Sequence, residues 1–351
     1  MALVSDFDFE LPERLIAQQP RPRGASRVLV VDRAAGAWRE VTMADVPSLF
    51  RAGDLLVAND TRVFPARLIG RRDPSGGRAE CLLLERIDDA RWHALVHPGQ
   101  KLRPGARLVF EDPVRAPGIR LRAMVHERLF FGRRVVSFEV EGAGSIDEAV
   151  DRLGHIPLPP YIHREDTELD RERYQTVFAR VRGSIAAPTA GLHFTGDDIE
   201  RLRQAGIGWT TVTHHVGYGT FKPVRVERVE EHEVDAETYE VPAQAAEAIA
   251  GVRRAGGRIV AVGTTTTRAL ESAAADDGPV AAGRATTRLF IHPGYRFRVV
   301  DALVTNFHLP RSSLLMLVAA FAGRDLILDA YRYAVAHDFR FYSYGDAMVI
   351  L

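Results

Sequence analysis

The chain has 351 residues, long enough for two domains and for packed cores that need no disulfide or metal staples. Lys+Arg and Asp+Glu each total 46, so the formal charge is zero and any grip on nucleic acid must come from local patches. The single cysteine, Cys81, excludes an internal disulfide and every multi-cysteine zinc or iron–sulfur site, which fits a reducing cytoplasm.

Residues 1–9 carry acids and no long apolar stretch. The longest apolar run, residues 314–322, falls well short of the ~20 residues that cross a bilayer, so neither export nor membrane insertion is expected. Almost every basic residue is arginine, with Lys101 and Lys222 the only lysines. Genome composition accounts for such a bias, although guanidinium also suits bidentate phosphate contacts.

In chain order, residues 11–18 have an amphipathic helical pattern, while 28–31 and 54–58 have the apolar texture of buried strands. From about Arg67 to Gly142 the texture changes to short strand-like runs at 79–84, 92–96, 108–110, 119–125 and 135–140. Turn signals such as Ser75-Gly76-Gly77, Pro98-Gly99 and Pro104-Gly105 separate them. Ser145 is placed to cap a helix over 146–153, with Gly154 as its stop, and Thr195 caps another that Gly206 ends. A strand over 209–213, a helix opened by Pro242 as its first residue and a strand over 259–262 follow. The expected fold is an α/β main domain, residues 1–68 and 155–351, interrupted at 69–154 by an inserted all-β domain built as a small antiparallel barrel or sandwich.

Polar clusters recur where these strands end, the edge at which open α/β sheets bind ligands. Gly263-Thr264-Thr265-Thr266-Thr267-Arg268 follows an apolar strand and opens a helix, so unpaired N–H groups and hydroxyls there suit a carboxylate or phosphate, or serve as a plain cap. It lacks the lysine of a Walker loop and the preceding acidic pair of a phosphoribosyl-pyrophosphate site. In His214-His215-Val216-Gly217-Tyr218-Gly219-Thr220-Phe221, Gly217 and Gly219 permit close backbone approach and the histidines offer bases near neutrality. Asn306-Phe307-His308-Leu309-Pro310 ends the strand 302–305, and Asn59-Asp60-Thr61-Arg62 ends the strand before it. Ser184 to His193 is a small-residue loop that includes Thr189.

For nucleic acid the candidates are Arg21, Arg23 and Arg27, then Arg62, Arg67, Arg71 and Arg72, and the pair Arg133-Arg134, although such residues more often form a solvated face than a phosphate track. Tyr342 and Tyr344, near Asp346, have the chemistry to stack on a splayed base, although core packing is their usual use.

Taken together the segments resemble the S-adenosylmethionine:tRNA ribosyltransferase-isomerases of queuosine biosynthesis. The resemblance runs through D-F-D-F-E-L-P from Asp6, L-I-A-Q from Leu15, N-D-T-R from Asn59, A-A-P-T-A-G-L-H-F from Ala186 and H-V-G-Y-G-T-F from His215. It continues in G-T-T-T-T-R from Gly263, P-G-Y-R-F from Pro293, V-D-A-L-V-T-N-F-H-L-P from Val300 and S-Y-G-D-A-M from Ser343. Asp235 and Arg288 depart from it, standing where a histidine and an acid are usual. The resemblance implies that the ribosyl part of S-adenosylmethionine moves onto the aminomethyl group of a 7-deazaguanine in the anticodon loop of transfer RNA, with release of adenine and methionine. The donor is then a consumed co-substrate, with no cofactor or metal, no membrane partner, and a monomer expected.

The sulfonium acidifies the adjacent ribose carbon, so a base must take a proton there, and adenine needs a proton donor to leave. His215 or His308 is the expected base, and Asp346 is expected to recognise the base or protonate adenine. Thr264, Thr265 and Arg268 are expected to hold the donor's carboxylate or ribose hydroxyls. Asn59, Asp60, Arg62, Thr189, His193, Gly217, Gly219, Asn306 and Tyr344 complete the substrate-binding set. The strand ends at Asn59, His215, Gly263 and Asn306 should then converge on one cleft.

Overall fold

The structure, a computed structural model, describes residues 2–221, 224–274 and 279–351, with the backbone alone at Thr220 and Phe221. Lys222 and the side chains that close the H-V-G-Y-G-T-F motif lie outside the described residues. The chain divides into two compact units, one made of Met1–Arg62, Pro160–Arg164 and Arg173–Leu351, the other of Val63–Pro159 and Glu165–Glu172.

The first unit is built on a nine-stranded mixed sheet. At its centre four parallel strands lie in the order Gly208–His214, Leu55–Asn59, Ile259–Val262, Ala302–Asn306. The last three are buried at every position, which is why they are unbroken apolar runs: a sheet covered on both faces has no solvent side to mark with polar residues. The two-residue period of the strand divides them between two cores. Leu55, Val57, Ile259, Ala261 and Leu303 pack one face, and Leu56, Ala58, Val260, Val262, Ala302 and Val304 pack the other. Ala347–Ile350, Arg27–Asp32 and the exposed edge strand Ala37–Thr42 extend the sheet on one side; Glu237–Val241 and Gly283–Thr287 extend it antiparallel on the other.

Several local expectations need adjustment. Residues 11–18 hold only a 3₁₀ turn, Glu13–Leu15, because Pro12 opens the segment and Ile16 bridges to Phe341 instead of continuing a helix. Pro242 is the N-cap of the helix Ala243–Arg254 rather than its first residue. Ser145 caps Ile146–Leu153 by accepting from the Glu148 N–H, and Thr195 forms a capping box with Asp198 at the start of Gly196–Gln204.

The second unit is a closed six-stranded antiparallel barrel, ordered Arg133–Glu141, Arg91–His97, Arg78–Arg86, Arg67–Asp73, Arg107–Glu111, Arg120–Arg128. Its strands alternate inward apolar with outward polar residues, so that Leu68, Leu83, Phe110, Leu121 and Phe138 fill the interior. Gly70 is dictated by packing, since a Cβ there would sit 2.2 Å from the Val109 carbonyl oxygen.

The amino ends of two central strands are fastened by one carboxylate. Asp54, 1% exposed, accepts the N–H of Arg51 and of Arg258 and a fork from the Arg258 guanidinium at 2.6–3.2 Å. Burial alone would raise its pKa, but these hydrogen bonds outweigh it and hold the carboxyl below its ordinary value. Asp54→Ala strands two backbone donors and a guanidinium, and should lower unfolding free energy by about 2–3 kcal/mol in urea titration. Because the folded pKa is depressed, the wild-type advantage should be complete near neutrality and fade as pH falls through the carboxyl range.

Candidate active site

The carboxyl ends of the central strands are buried, and their polar groups must satisfy one another. Asn59 does most of this. Its Nδ2 donates to the His214 carbonyl at 2.8 Å and to the Thr265 hydroxyl at 3.3 Å, while its Oδ1 accepts the N–H of His214 at 2.9 Å and of Thr61 at 3.1 Å. Gly263, at φ 97°, turns the chain from strand into the helix Thr264–Ala273, which begins without a side-chain cap. The hydroxyls of Thr266 and Thr267 bond back to the carbonyls of Val262 and Gly263, so of the four threonines only Thr264 and Thr265 face open space.

That space is a pocket of about 610 Å³ whose wall includes Thr189, Gly263, Thr264, Thr265, Asn306, His308, Tyr161 and Ser343. Among the described residues the lining holds no aspartate, glutamate, lysine or arginine. His308 is 6% exposed; burial pushes its ring down to about pKa 3, so it is neutral at any working pH. Its Nε2 meets the Thr305 hydroxyl at 2.9 Å, and among the described residues its Nδ1 has no hydrogen-bond partner. Tyr161 meets Ser343 at 2.6 Å, and burial, with Tyr174 adding to it, holds the Tyr161 phenol protonated. Tyr342 sits at φ 74°, a conformation costly for a residue with a Cβ, and is held there by a bond from its N–H to the Phe307 carbonyl and one from Asn306 Nδ2 to its own carbonyl.

A second pocket of similar size is charged. Arg268, Glu233, Asp235, Glu237 and His232 line it together with Gly219, Leu289 and Phe290, and Leu314 lines both pockets. Asp235 takes the room that Gly219 leaves: a Cβ on Gly219 would meet the Asp235 carboxylate at 2.8 Å. Glu237 is the hub. Its carboxylate accepts from the Gly217 N–H at 2.9 Å and from Arg268, and it faces His214 Nε2 at 3.0 Å. Burial opposes its ionisation, but the His214 hydrogen bond and the Arg268 charge win and hold it down at about pKa 2. The opposite His214 nitrogen meets the Thr265 carbonyl at 3.0 Å. Arg268 gives its Nε to the Leu289 carbonyl, and its buried Nη2 has no partner among the described residues. Among the described residues no group of three or more His, Cys, Asp or Glu side chains is placed to hold a metal ion.

Three of the four strand ends therefore converge. His215 does not join them: its ring turns to the Thr61 hydroxyl at 2.8 Å and packs on Gly183, where a Cβ would come within 2.6 Å of it. Burial, then the charge of Arg284, depresses its pKa. Asp346 is fully buried outside both pockets, accepting the N–H groups of Arg27 and Arg340 and a guanidinium hydrogen bond from Arg21. Asp60 is similarly occupied by Arg180, Thr211 and Thr213, and Arg62 is exposed to solvent. His193 stands behind the first pocket, accepting from Asn306 Nδ2 at 3.0 Å, and Tyr344 is buried in a neighbouring crevice.

From sequence, His214 is one of two adjacent candidate bases and Glu237 is not singled out at all. The available signal was an acid at an inward position: Glu237, Tyr239 and Val241 point in while Glu240 points out. Glu237→Ala should leave Arg268 buried without its counter-charge and His214 without its carboxylate partner, and lower stability by about 3 kcal/mol or more. Glu237→Gln should lose less, and because the folded carboxyl titrates at about 2, its deficit against wild type should persist at pH 6 and shrink as pH falls from about 4 toward 2, read by chemical denaturation at each pH.

Residues 4–350 match the family described as queuosine biosynthesis protein. The chain is 53% identical over 349 residues to an S-adenosylmethionine:tRNA ribosyltransferase-isomerase from Symbiobacterium thermophilum, the match covering 99% of each chain. It is 52% identical over 351 residues to the protein of that name from Geobacter sulfurreducens, with the same coverage. The crystal structure of an S-adenosylmethionine tRNA ribosyltransferase from Thermotoga maritima aligns over 99% of this chain and 100% of its own, at 38% identity and a TM-score of 0.56. With the family pattern matched nearly end to end and the strand-end motifs gathered at one edge of the sheet, the chain belongs to the queuosine biosynthesis family of S-adenosylmethionine:tRNA ribosyltransferase-isomerases.

Proposed function

We propose that the protein transfers and isomerises the ribosyl part of S-adenosylmethionine onto the aminomethyl group of 7-aminomethyl-7-deazaguanine in the anticodon loop of transfer RNA, giving epoxyqueuosine, adenine and methionine. Full-length similarity supports the reaction. The observation that carries it within this chain is the pairing of an uncharged pocket of hydroxyls and aromatic rings with a charged one, along a single helix and across Leu314. The donor has that same division: a nucleoside at one end and a zwitterionic amino acid at the other.

The nucleoside end goes to the uncharged pocket, with Thr264 and Thr265 meeting the ribose hydroxyls. The amino-acid end goes to the charged pocket, where the unpartnered Nη2 of Arg268 meets the carboxylate and the acids beside Gly219 meet the ammonium. His308, arriving unprotonated, takes the proton from the ribose carbon beside the sulfonium. The Tyr161–Ser343 hydroxyl pair, kept protonated by burial, donates to the departing adenine. Asn59, Thr189, Asn306 and the Gly217 loop position these groups, while Asp60, His193, His215, Tyr344 and Asp346 act through the framework. Every assigned group lies in the α/β part, within residues 1–68 and 155–351. The donor is consumed, so the scheme needs no resident cofactor. The one thiol, Cys81, is buried in the barrel with its pKa pushed up to about 12, so it takes no part in the scheme.

Incubation with S-adenosylmethionine and transfer RNA carrying the aminomethyl base should yield, by mass analysis, the ribosyl-modified base with one free adenine and one free methionine per turnover. A methyl-transfer product would defeat the reading. His308→Ala should cut kcat by about 10²–10⁴-fold. Since burial keeps His308 neutral above about pH 3, kcat/KM should show no acid limb from this group between pH 5 and 8. A limb near pH 6.5 would argue against it as the base.

A further inference from the structure

Two arginine clusters stand out from the rest of the surface, and their charge balance differs. In the barrel unit Arg71, Arg72, Arg120 and Arg122 border one hollow, but Glu111 pairs with Arg71 and Arg120, and Glu141 pairs with Arg120 and Arg122. In the α/β unit a crevice of about 290 Å³ is bordered by Arg21, Arg23 and Arg173, with Ser26, Ser343 and Tyr344. The one carboxylate paired there with Arg21 is Asp346, whose oxygens are also taken by two backbone N–H groups. Arg23 gives its guanidinium to the carbonyls of Leu192 and Gln175. Arg173 gives Nη2 to the Arg21 carbonyl, has no carboxylate partner among the described residues, and keeps Nε buried without a hydrogen bond. Asp346 brings one negative charge against the guanidinium groups of Arg21, Arg23 and Arg173; at the neighbouring Arg340, burial and then repulsion from Arg21 outweigh the attraction of Asp346 and hold the pKa below its ordinary value.

The crevice adjoins the uncharged pocket. Ser343 lines both, and His193, on the crevice wall, is hydrogen-bonded to Asn306 on the pocket wall. We propose that the Arg21–Arg23–Arg173 crevice binds a backbone phosphate of the RNA, at the nucleotide whose base enters the pocket past Ser343. Guanidinium forks match phosphate oxygens in pairs, and phosphate contacts set register without reading sequence, which is the requirement for presenting one base to a fixed pocket. The inference rests on the transfer RNA reading above and specifies where that substrate is gripped.

The test uses the full-length protein, a synthetic anticodon stem-loop carrying the aminomethyl base, and S-adenosylmethionine. Stem-loop affinity is measured against sodium chloride concentration for wild type, Arg173→Ala, Arg173→Lys and, as a control in the neutralised barrel cluster, Arg122→Ala. Removal of one phosphate contact to unpaired RNA should flatten the log–log salt slope by about 0.7. Arg173→Ala should show that flattening and a roughly tenfold weaker stem-loop affinity, about 1.4 kcal/mol, with the donor KM unmoved. Arg173→Lys should restore the slope, because the charge returns, but only part of the affinity, because the fork does not. Arg122→Ala should leave the slope at the wild-type value. An unchanged slope in Arg173→Ala, an equal loss in Arg122→Ala, or a rise in donor KM in place of RNA affinity would each overturn the proposal, the last by assigning the crevice to the donor's carboxylate. Binding is read without turnover, so a wild-type protein that binds the stem-loop with the expected slopes but forms no product would count against the reaction and not against the crevice.

Discussion

The buried ends of the central strands impose the constraint on which the site depends. A parallel sheet closed on both faces delivers backbone N–H and C=O groups into a region without water, and each must find a partner within the protein. Asn59 supplies three such bonds and one to the Thr265 hydroxyl from one amide, and thereby fixes the spacing of three segments: its own strand, the His214 strand and the start of the Thr264 helix. Glu237 does the same one layer further out, tying the Gly217 loop, His214 and Arg268. Both pockets are bordered by segments that these two side chains hold. The positions of Thr264, Thr265 and Arg268 are therefore consequences of hydrogen-bond satisfaction as much as of any ligand.

The same burial decides the proton chemistry. In the uncharged pocket low polarity drives His308 and Tyr161 toward their neutral forms, one as a free acceptor and the other as a retained donor. A few ångströms of protein away, Glu237 is equally buried yet ionised, because a guanidinium and an imidazole ring stand against it. Environments that push titratable groups in opposite directions are the usual means by which one site runs acid and base steps at a single pH. Strain at Tyr342 belongs to the same design, since a left-handed backbone at a residue with a Cβ persists only where surrounding bonds over-determine it.

Much of this was legible in the residues. The buried parallel strands announced themselves as apolar runs, the caps at Ser145 and Thr195 as side chains able to satisfy a first turn, and the barrel strands as short alternations between glycine and proline turns. Edge strands were not: Ala37–Thr42 is mostly exposed and Gly283–Thr287 carries threonine and arginine, so neither shows an apolar period. The strand Arg67–Asp73 was hidden by Gly70 and the Arg71-Arg72 pair, which belong there because of a close backbone approach and outward-facing charge. At the site, motif position located the pocket wall but not side-chain direction. Adjacent His214 and His215 diverge, one into the Glu237 network and the other onto Gly183, and nothing in their order along the chain distinguishes them.

Asp346 shows how a polar residue in a sequence motif can serve a site it never touches. Its two oxygens accept the N–H of Arg340, six residues back, and of Arg27 on the neighbouring strand, closing the turn that carries Phe341, Tyr342, Ser343 and Tyr344. Tyr342 and Ser343 face the uncharged pocket, while Ser343 and Tyr344 face the arginine crevice. A carboxylate in this place fixes both walls at once and, through Arg21, sets the orientation of a guanidinium on the crevice. An amide could meet the geometry of only one of the two backbone donors while presenting its own NH₂ to the other, so the demand is for an acceptor-only group. The acid is there for the turn, and the turn is there for two cavities that share Ser343.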